Sequence, residues 1–95
     1  MNKQIKIKNL EELRRQIDNA DDEIIHALAK RFAVVKEVGK LKKEKNIPPL
    51  DEKRWSEILN TITTKAKKLN LPEKLVLKLY EEIHQEALTL EKEYE

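Results

Sequence analysis

The sequence has no cysteine and a single glycine among its 95 residues. Without cysteine the chain cannot form a disulfide, a thiolate metal site or a thiol nucleophile. With Gly39 as its only glycine, it cannot contain the loops GxGxxG or GxxxxGK that bind nucleotide phosphates. Aromatic residues make up only 4%, and no apolar run approaches the ~20 residues of a membrane-spanning helix. These absences exclude several common classes of enzyme and transporter.

Charged residues are abundant and nearly balanced. The 20 basic and 18 acidic side chains leave a net charge of +2, which gives no strong attraction to nucleic acid or to a membrane surface. We therefore predict neither as a partner, and we predict a cytoplasmic location, since a reducing compartment suits a chain without cysteine. A chain this short buries only about 60–65% of its unfolded surface, so the core of a single copy is thin.

Two turn motifs divide the chain into three helical segments. The first is Asn46-Ile47-Pro48-Pro49-Leu50-Asp51 and the second is Asn70-Leu71-Pro72. Elsewhere the apolar spacing is helical, and no alternating run is long enough to indicate a β-strand. The predicted fold class is therefore all-α, with helices at roughly 9–45, 52–69 and 72–94. Residues 1–8 are interpreted as a poorly ordered N-terminal extension of a helical domain that spans 9–95.

An apolar stripe runs the whole length of the first predicted helix. Its members step by three and four residues over more than four heptads: Leu10, Leu13, Ile17, Ala20, Ile24, Ala27, Arg31, Val34, Val38 and Leu41. A helix over residues 9–45 is ~55 Å long, whereas the other two span ~27 and ~35 Å. Two short helices on one long helix leave a core open to water. We therefore predict an intertwined homodimer, a helical bundle in which two long helices pair.

Two cationic residues of the long helix are placed where they can bind an anion. Arg31 occupies the apolar stripe, and an arginine there needs an anionic partner because burying an unpaired charge is costly. Lys42 follows three turns later, ~16 Å along the helix and offset by only ~20°. The pair predicts a site for a small dianion. The alternative is that Arg31 pairs with a structural carboxylate and that Lys42 belongs to a solvated lysine run.

Three further positions bear on such a site. Arg14 lies ~25 Å from Arg31 along the helix, so it can reach only the site of a second, antiparallel chain, unless it is an ordinary surface arginine. Glu91 lies beside the apolar stripe of the third helix, where it is either buried or turned toward solvent. His26 and His84 form no HxxxH pair, and we predict neither a metal nor another cofactor.

In combination, these motifs resemble the all-helical chorismate mutases. The resemblance covers about residues 9–94, and the pattern is specific only as a whole. It is carried by Leu13-Arg14-Arg15-Gln16-Ile17-Asp18, Asp21-Asp22-Glu23-Ile24, Leu28-Ala29-Lys30-Arg31, Glu37-Val38-Gly39-Lys40-Leu41-Lys42 and the segment from Pro48 to Arg54. It implies an intertwined dimer of three-helix chains. It also implies an isomerase that converts chorismate to prephenate in aromatic amino acid biosynthesis.

The resemblance also implies roles for individual residues. Arg31 corresponds to the arginine that binds a substrate carboxylate, and Arg14 to the arginine contributed across the dimer. Lys42 corresponds to the lysine that contacts the ether oxygen and a carboxylate. Asp51 and Arg54 correspond to the acid and the arginine that open the second helix and help to bind substrate.

Three positions depart from the family pattern. Trp55 replaces a glutamate that holds the ring hydroxyl, and Ala87 replaces a small polar residue. Glu91 replaces the glutamine that donates to the ether oxygen, so it is predicted to join Lys42 and Arg31 as a catalytic residue. Only its protonated form can donate a hydrogen bond.

Two alternative functions remain open. The first is an isochorismate pyruvate lyase with the same fold. The substitution at Trp55 favours keeping this alternative, because the glutamate that it replaces recognises the hydroxyl whose position differs between the two substrates. A non-catalytic helical dimerisation module is the second. It explains the long apolar stripe but leaves Arg31 within it unexplained.

Overall fold

The structure, a computed structural model, describes the backbone of residues 3–94 and the side chains of residues 9–94. It contains three α-helices: α1 at Lys3–Glu44, α2 at Glu52–Lys68 and α3 at Glu73–Lys92. Residues 3–94 contain no β-strand, so the predicted all-α fold of three helices is confirmed. The first helix begins at Lys3 rather than at residue 9. The interpretation of residues 1–8 as an extension stays a prediction, because their side chains lie outside the described residues.

The described chain divides into two compact units between Ala33 and Val34. The first unit is the N-terminal part of α1. Its apolar stripe is exposed in the single chain, with Leu13 at 55% and Ile17 at 59% of full exposure. Burial of an apolar face is the main source of helix stability in proteins, and this unit on its own has almost none.

The second unit contains the end of α1 together with α2 and α3. Helices α2 and α3 pack against each other. Within residues 34–94, the buried hydrophobic side chains are Ala66, Ile83 and Ala87, two of which are small. Within residues 3–94, no helix combines the length and the apolar character needed to cross a bilayer.

Helix α1 ends in a Schellman motif that turns the chain back toward Lys42. The Ile47 N–H donates to the Lys42 carbonyl at 2.8 Å, and the Asn46 N–H donates to the Lys43 carbonyl at 3.2 Å. Asn46 has a φ of 56°, a left-handed conformation that asparagine tolerates better than most residues. The motif satisfies two helix-terminal carbonyls and directs the following prolines, including buried Pro49, over the end of α1.

The turn between α2 and α3 repeats this geometry. The Leu71 N–H donates to the Ala66 carbonyl at 2.9 Å, and the Asn70 N–H donates to the Lys67 carbonyl at 3.3 Å. Asn70 has a φ of 57°. The two asparagines that marked the turns in the sequence therefore do so through the same left-handed backbone conformation.

Candidate active site

An ion pair joins the end of α1 to the end of α3. Lys42 Nζ lies 2.7 Å from Glu91 Oε1, and the two side chains are 20% and 10% exposed. Lys42 Nζ also donates to the carbonyl oxygen of Pro49 at 2.6 Å. Because an ammonium group has three donors, these contacts fix its position and a ligand can take the third donor.

The ion pair decides two questions that the sequence left open. Glu91 is buried and faces Lys42, rather than turning toward solvent. Lys42 is part-buried, unlike its neighbours Lys40 and Lys43, so it does not belong to a solvated lysine run. Desolvation of two charges costs free energy that their attraction offsets only in good geometry. A pair kept in this position is a candidate for a functional site.

Gly39 allows α1 and α3 to approach closely enough for this contact. A Cβ atom at Gly39 would lie 2.9 Å from Tyr94 Cδ2 and 3.1 Å from Glu91 Cα. The second of these atoms belongs to the backbone, so it can yield only if the end of α3 moves. Gly39 therefore sets the distance between the helices at which Lys42 and Glu91 pair.

The predicted residues of the second helix lie in and just before its first turn. Asp51 is the N-cap of α2, and its Oδ1 accepts a hydrogen bond from the Arg54 N–H at 3.0 Å. The Arg54 guanidinium lies 3.6 Å from the Glu57 carboxylate, and both side chains are exposed. The observed role of Asp51 is thus to begin α2 and to fix the backbone at Arg54.

The two predicted arginines of α1 both lie in the first unit, before Val34. Arg14 is exposed and Arg31 is half-buried. Their assignment to the site, including the contribution of Arg14 from a second chain, stays a prediction.

Sequence reasoning missed two features of this region. Trp55 of α2 stacks on His84 of α3, with ring centroids 3.9 Å apart and an interplanar angle of 7°. These residues are far apart in the sequence, and no motif links them. The contact from the Pro49 carbonyl to Lys42 was also missed, because a backbone oxygen leaves no signal in residue identity.

Comparisons with known proteins agree with the helical architecture. Residues 13–92 match the family described as chorismate mutase type II. All six predicted site residues lie within this range. The chain is also 30% identical over 88 residues to the chorismate mutase of Methanocaldococcus jannaschii, an alignment that covers 93% of this chain and 89% of that protein.

Two longer proteins share the same region. The chain is 33% identical over 89 residues to a bifunctional chorismate mutase/prephenate dehydratase of Aquifex aeolicus, covering 90% of this chain and 25% of that protein. It is 31% identical over 85 residues to the T-protein of Enterobacter agglomerans, covering 90% of this chain and 23% of that protein. The similarity to these two thus concerns about a quarter of their length.

Replacing Gly39 with alanine is expected to destabilise the protein. Helix propensity alone predicts the opposite, a gain of about 1 kcal/mol in the free energy of unfolding. The contact with Glu91 Cα should outweigh that gain, because closely packed helices have no spare volume for a methyl group. Urea denaturation of wild type and Gly39→Ala at equal protein concentration measures the difference.

A double variant identifies the atoms responsible. The double variant Gly39→Ala/Tyr94→Ala is compared with Tyr94→Ala alone, because the contact with the Tyr94 ring is absent from both proteins. The change at Gly39 should still lower the free energy of unfolding in this comparison, since the contact with Glu91 Cα remains. If Gly39→Ala alone is more stable than wild type, Gly39 does not set the distance between α1 and α3.

Proposed function

This chain belongs to the chorismate mutase type II family, and we propose that it is an isomerase that rearranges chorismate to prephenate in aromatic amino acid biosynthesis. The observation that supports this most directly is the part-buried pair of Lys42 and Glu91, held between α1 and α3 within the matched region. A cytoplasmic location remains a prediction from the sequence.

The proposed reaction needs little chemistry from the protein. Chorismate carries two carboxylates and an enolpyruvyl ether, and its rearrangement breaks one C–O bond while it forms one C–C bond in the same molecule. Because the process is pericyclic, it requires no nucleophile and no general base. The protein has to hold the compact conformer in which the reacting carbons meet. It must also place positive charge where the ether oxygen becomes negative.

Lys42 is the residue best placed to supply that charge. Its ammonium group is fixed by the Glu91 carboxylate and the Pro49 carbonyl before any substrate arrives. A donor oriented in advance stabilises the transition state without a reorganisation cost during the reaction. Val35 and Val38 precede Lys42 on α1, and we assign them to the apolar floor that keeps water from the ether oxygen.

The arginines complete the proposed site. Arg31 binds one substrate carboxylate through two of its guanidinium nitrogens, a bidentate geometry that fits a carboxylate well. Arg14 of a second chain binds the other carboxylate. Asp51, as the N-cap of α2, positions Arg54 at the edge of the site. In the single chain, Arg54 forms an exposed ion pair with Glu57. Because exposed ion pairs are weak, Arg54 can exchange Glu57 for an incoming anion.

A homodimer is part of the proposal. It is supported by the exposed apolar stripe in the first unit, where Leu13, Ile17 and Ile24 are all more than half exposed. A contiguous apolar surface of this kind on a short chain is typical of a protein–protein interface. A second copy, with the same stripe, covers it by pairing of the long helices.

The function is tested by incubating the pure protein with chorismate and, separately, with isochorismate. Prephenate, identified by mass spectrometry, is the expected product of the first reaction. Lys42→Ala should lower kcat by about 10²–10³-fold, as the loss of one preorganised donor does elsewhere. Lys36→Ala, which removes an exposed lysine of the same helix, is the matched control and should leave kcat unchanged.

The same assay decides between the proposed function and its alternatives. Release of pyruvate from isochorismate without turnover of chorismate would identify a lyase, which the change at Trp55 keeps as a candidate. No turnover of either compound by a folded protein would support a dimerisation module.

Sharing of the site between chains is tested by mixing inactive variants. Arg14→Ala and Arg31→Ala should each be nearly inactive. When equal amounts are refolded together, half of the dimers are mixed and each mixed dimer has one intact site, so about a quarter of the wild-type activity should return. Native mass spectrometry confirms that mixed dimers formed. If they form without activity, Arg14 and Arg31 do not act in one shared site.

Replacing Glu91 with glutamine is expected to raise kcat/KM for chorismate. The Glu91 carboxylate that pairs with Lys42 places negative charge beside the ether oxygen, which itself becomes negative in the transition state. The glutamine amide can still accept a hydrogen bond from Lys42 through its oxygen, while its NH₂ group donates one to the ether oxygen. Steady-state kinetics of wild type and Glu91→Gln at one pH measure the difference.

The matched control is Glu86→Gln, which removes an exposed acid of α3 and should keep the wild-type kcat/KM. If kcat/KM is unchanged or lower in Glu91→Gln, Glu91 does not face the ether oxygen.

A further inference from the structure

At the start of α2, Asp51 and Arg54 each contact a polar group nearby in the chain. Asp51 Oδ1 accepts the hydrogen bond from the Arg54 N–H at 3.0 Å, and the Arg54 guanidinium lies 3.6 Å from Glu57. Trp55 follows, and its indole stacks on the imidazole of His84. This end of α2 therefore presents an aromatic surface beside its charged residues.

The stack lies on the side of α3 that carries Glu91. His84 and Glu91 are seven residues apart, so they share one face of the helix, ~10.5 Å apart along its axis. Ala87 is buried between them. Trp55 is adjacent in sequence to Arg54, which we assign to the edge of the site. Two helices thus place the stack at the end of the site that is distant from Lys42.

The stack also holds the indole in one orientation. The ring centroids are 3.9 Å apart and the planes are nearly parallel, at 7°. Both residues are half-buried, so part of the stack remains accessible. A planar aromatic surface held in this way offers van der Waals contact over its whole area, with only the nitrogen atoms at the ring edges for hydrogen bonding.

We propose that the Trp55–His84 stack is the wall against which the substrate ring lies, and that this site recognises the two carboxylates and the ether oxygen of its substrate but not the ring hydroxyl. This inference rests on the proposed function. The substrate class is then a dianionic enolpyruvyl ether of a six-membered ring acid, with or without the hydroxyl. Trp55 is the specificity-determining residue, and His84 is the positioning residue that orients it.

The physical basis is the difference between a polar and an apolar subsite. A site that hydrogen-bonds a substrate hydroxyl rejects an analogue without it by roughly 10⁴–10⁵-fold, because its own polar groups are then left unpaired. An apolar wall leaves nothing unpaired. It discriminates by only about 10–200-fold on the basis of one small substituent.

The test is the ratio of kcat/KM for chorismate to that for its analogue without the ring hydroxyl. In the wild-type protein this ratio should be below about 200. Trp55→Glu, which supplies a carboxylate acceptor, should raise it at least tenfold. Trp55→Phe is the matched control, because phenylalanine keeps an aromatic ring on His84 without a nitrogen, and its ratio should stay at the wild-type value.

A second readout does not depend on turnover. Trp55 is the only tryptophan of the chain, so its fluorescence reports on the stack alone. Addition of prephenate should change this fluorescence with saturation, and His84→Leu, which removes the imidazole, should alter the amplitude of the change. Fluorescence that does not respond to prephenate would place the stack outside the site.

The remaining outcomes separate this inference from the proposed function. A wild-type ratio above about 10³ would overturn the inference while leaving the proposed function intact, since chorismate is still converted. A ratio that falls in Trp55→Phe would also overturn it, because the indole N–H would then be holding the hydroxyl. Failure of the wild-type protein to convert chorismate would overturn the proposed function and this inference with it.

Discussion

The close approach of α1 and α3 at Gly39 is the constraint on which the site depends. Only a residue without a Cβ lets the end of α3 come this near to α1. At that distance Glu91 meets Lys42 at 2.7 Å in a part-buried position. Two such charges are costly to remove from water unless their geometry is good and further hydrogen bonds support them. The Pro49 carbonyl provides that support for the ammonium group.

The hydrogen bond from Lys42 to the Pro49 carbonyl depends on the local sequence of the turn after α1. Asn46 takes a left-handed conformation and closes a Schellman motif, after which Pro48 and Pro49 lead the chain back over Lys42. The end of the helix and the orientation of Lys42 are therefore produced by the same turn. A rearrangement that requires only a fixed conformer and a fixed electric field is well served by such a rigid arrangement.

The distribution of apolar residues supports the proposed pairing with a second chain. The hydrophobic side chains buried in the described part of the chain are Ala66, Ile83 and Ala87, whereas the stripe of α1 is exposed. A chain of this length has too little interior to stabilise a ~60 Å helix by itself. In the proposed dimer, the surface that completes the core also delivers Arg14, so folding and substrate binding depend on the same pairing.

The sequence by itself determined the features that depend on neighbours along the chain. The helical spacing and the turn residues at Asn46 and Asn70 predicted three helices, since turn conformation and amphipathic periodicity are local properties. Only the tertiary structure decided that Glu91 is buried against Lys42 and that Trp55 stacks on His84. These contacts join residues that lie far apart in the sequence. Periodicity places a residue on a face of its own helix, but the packing of another helix decides what that residue meets.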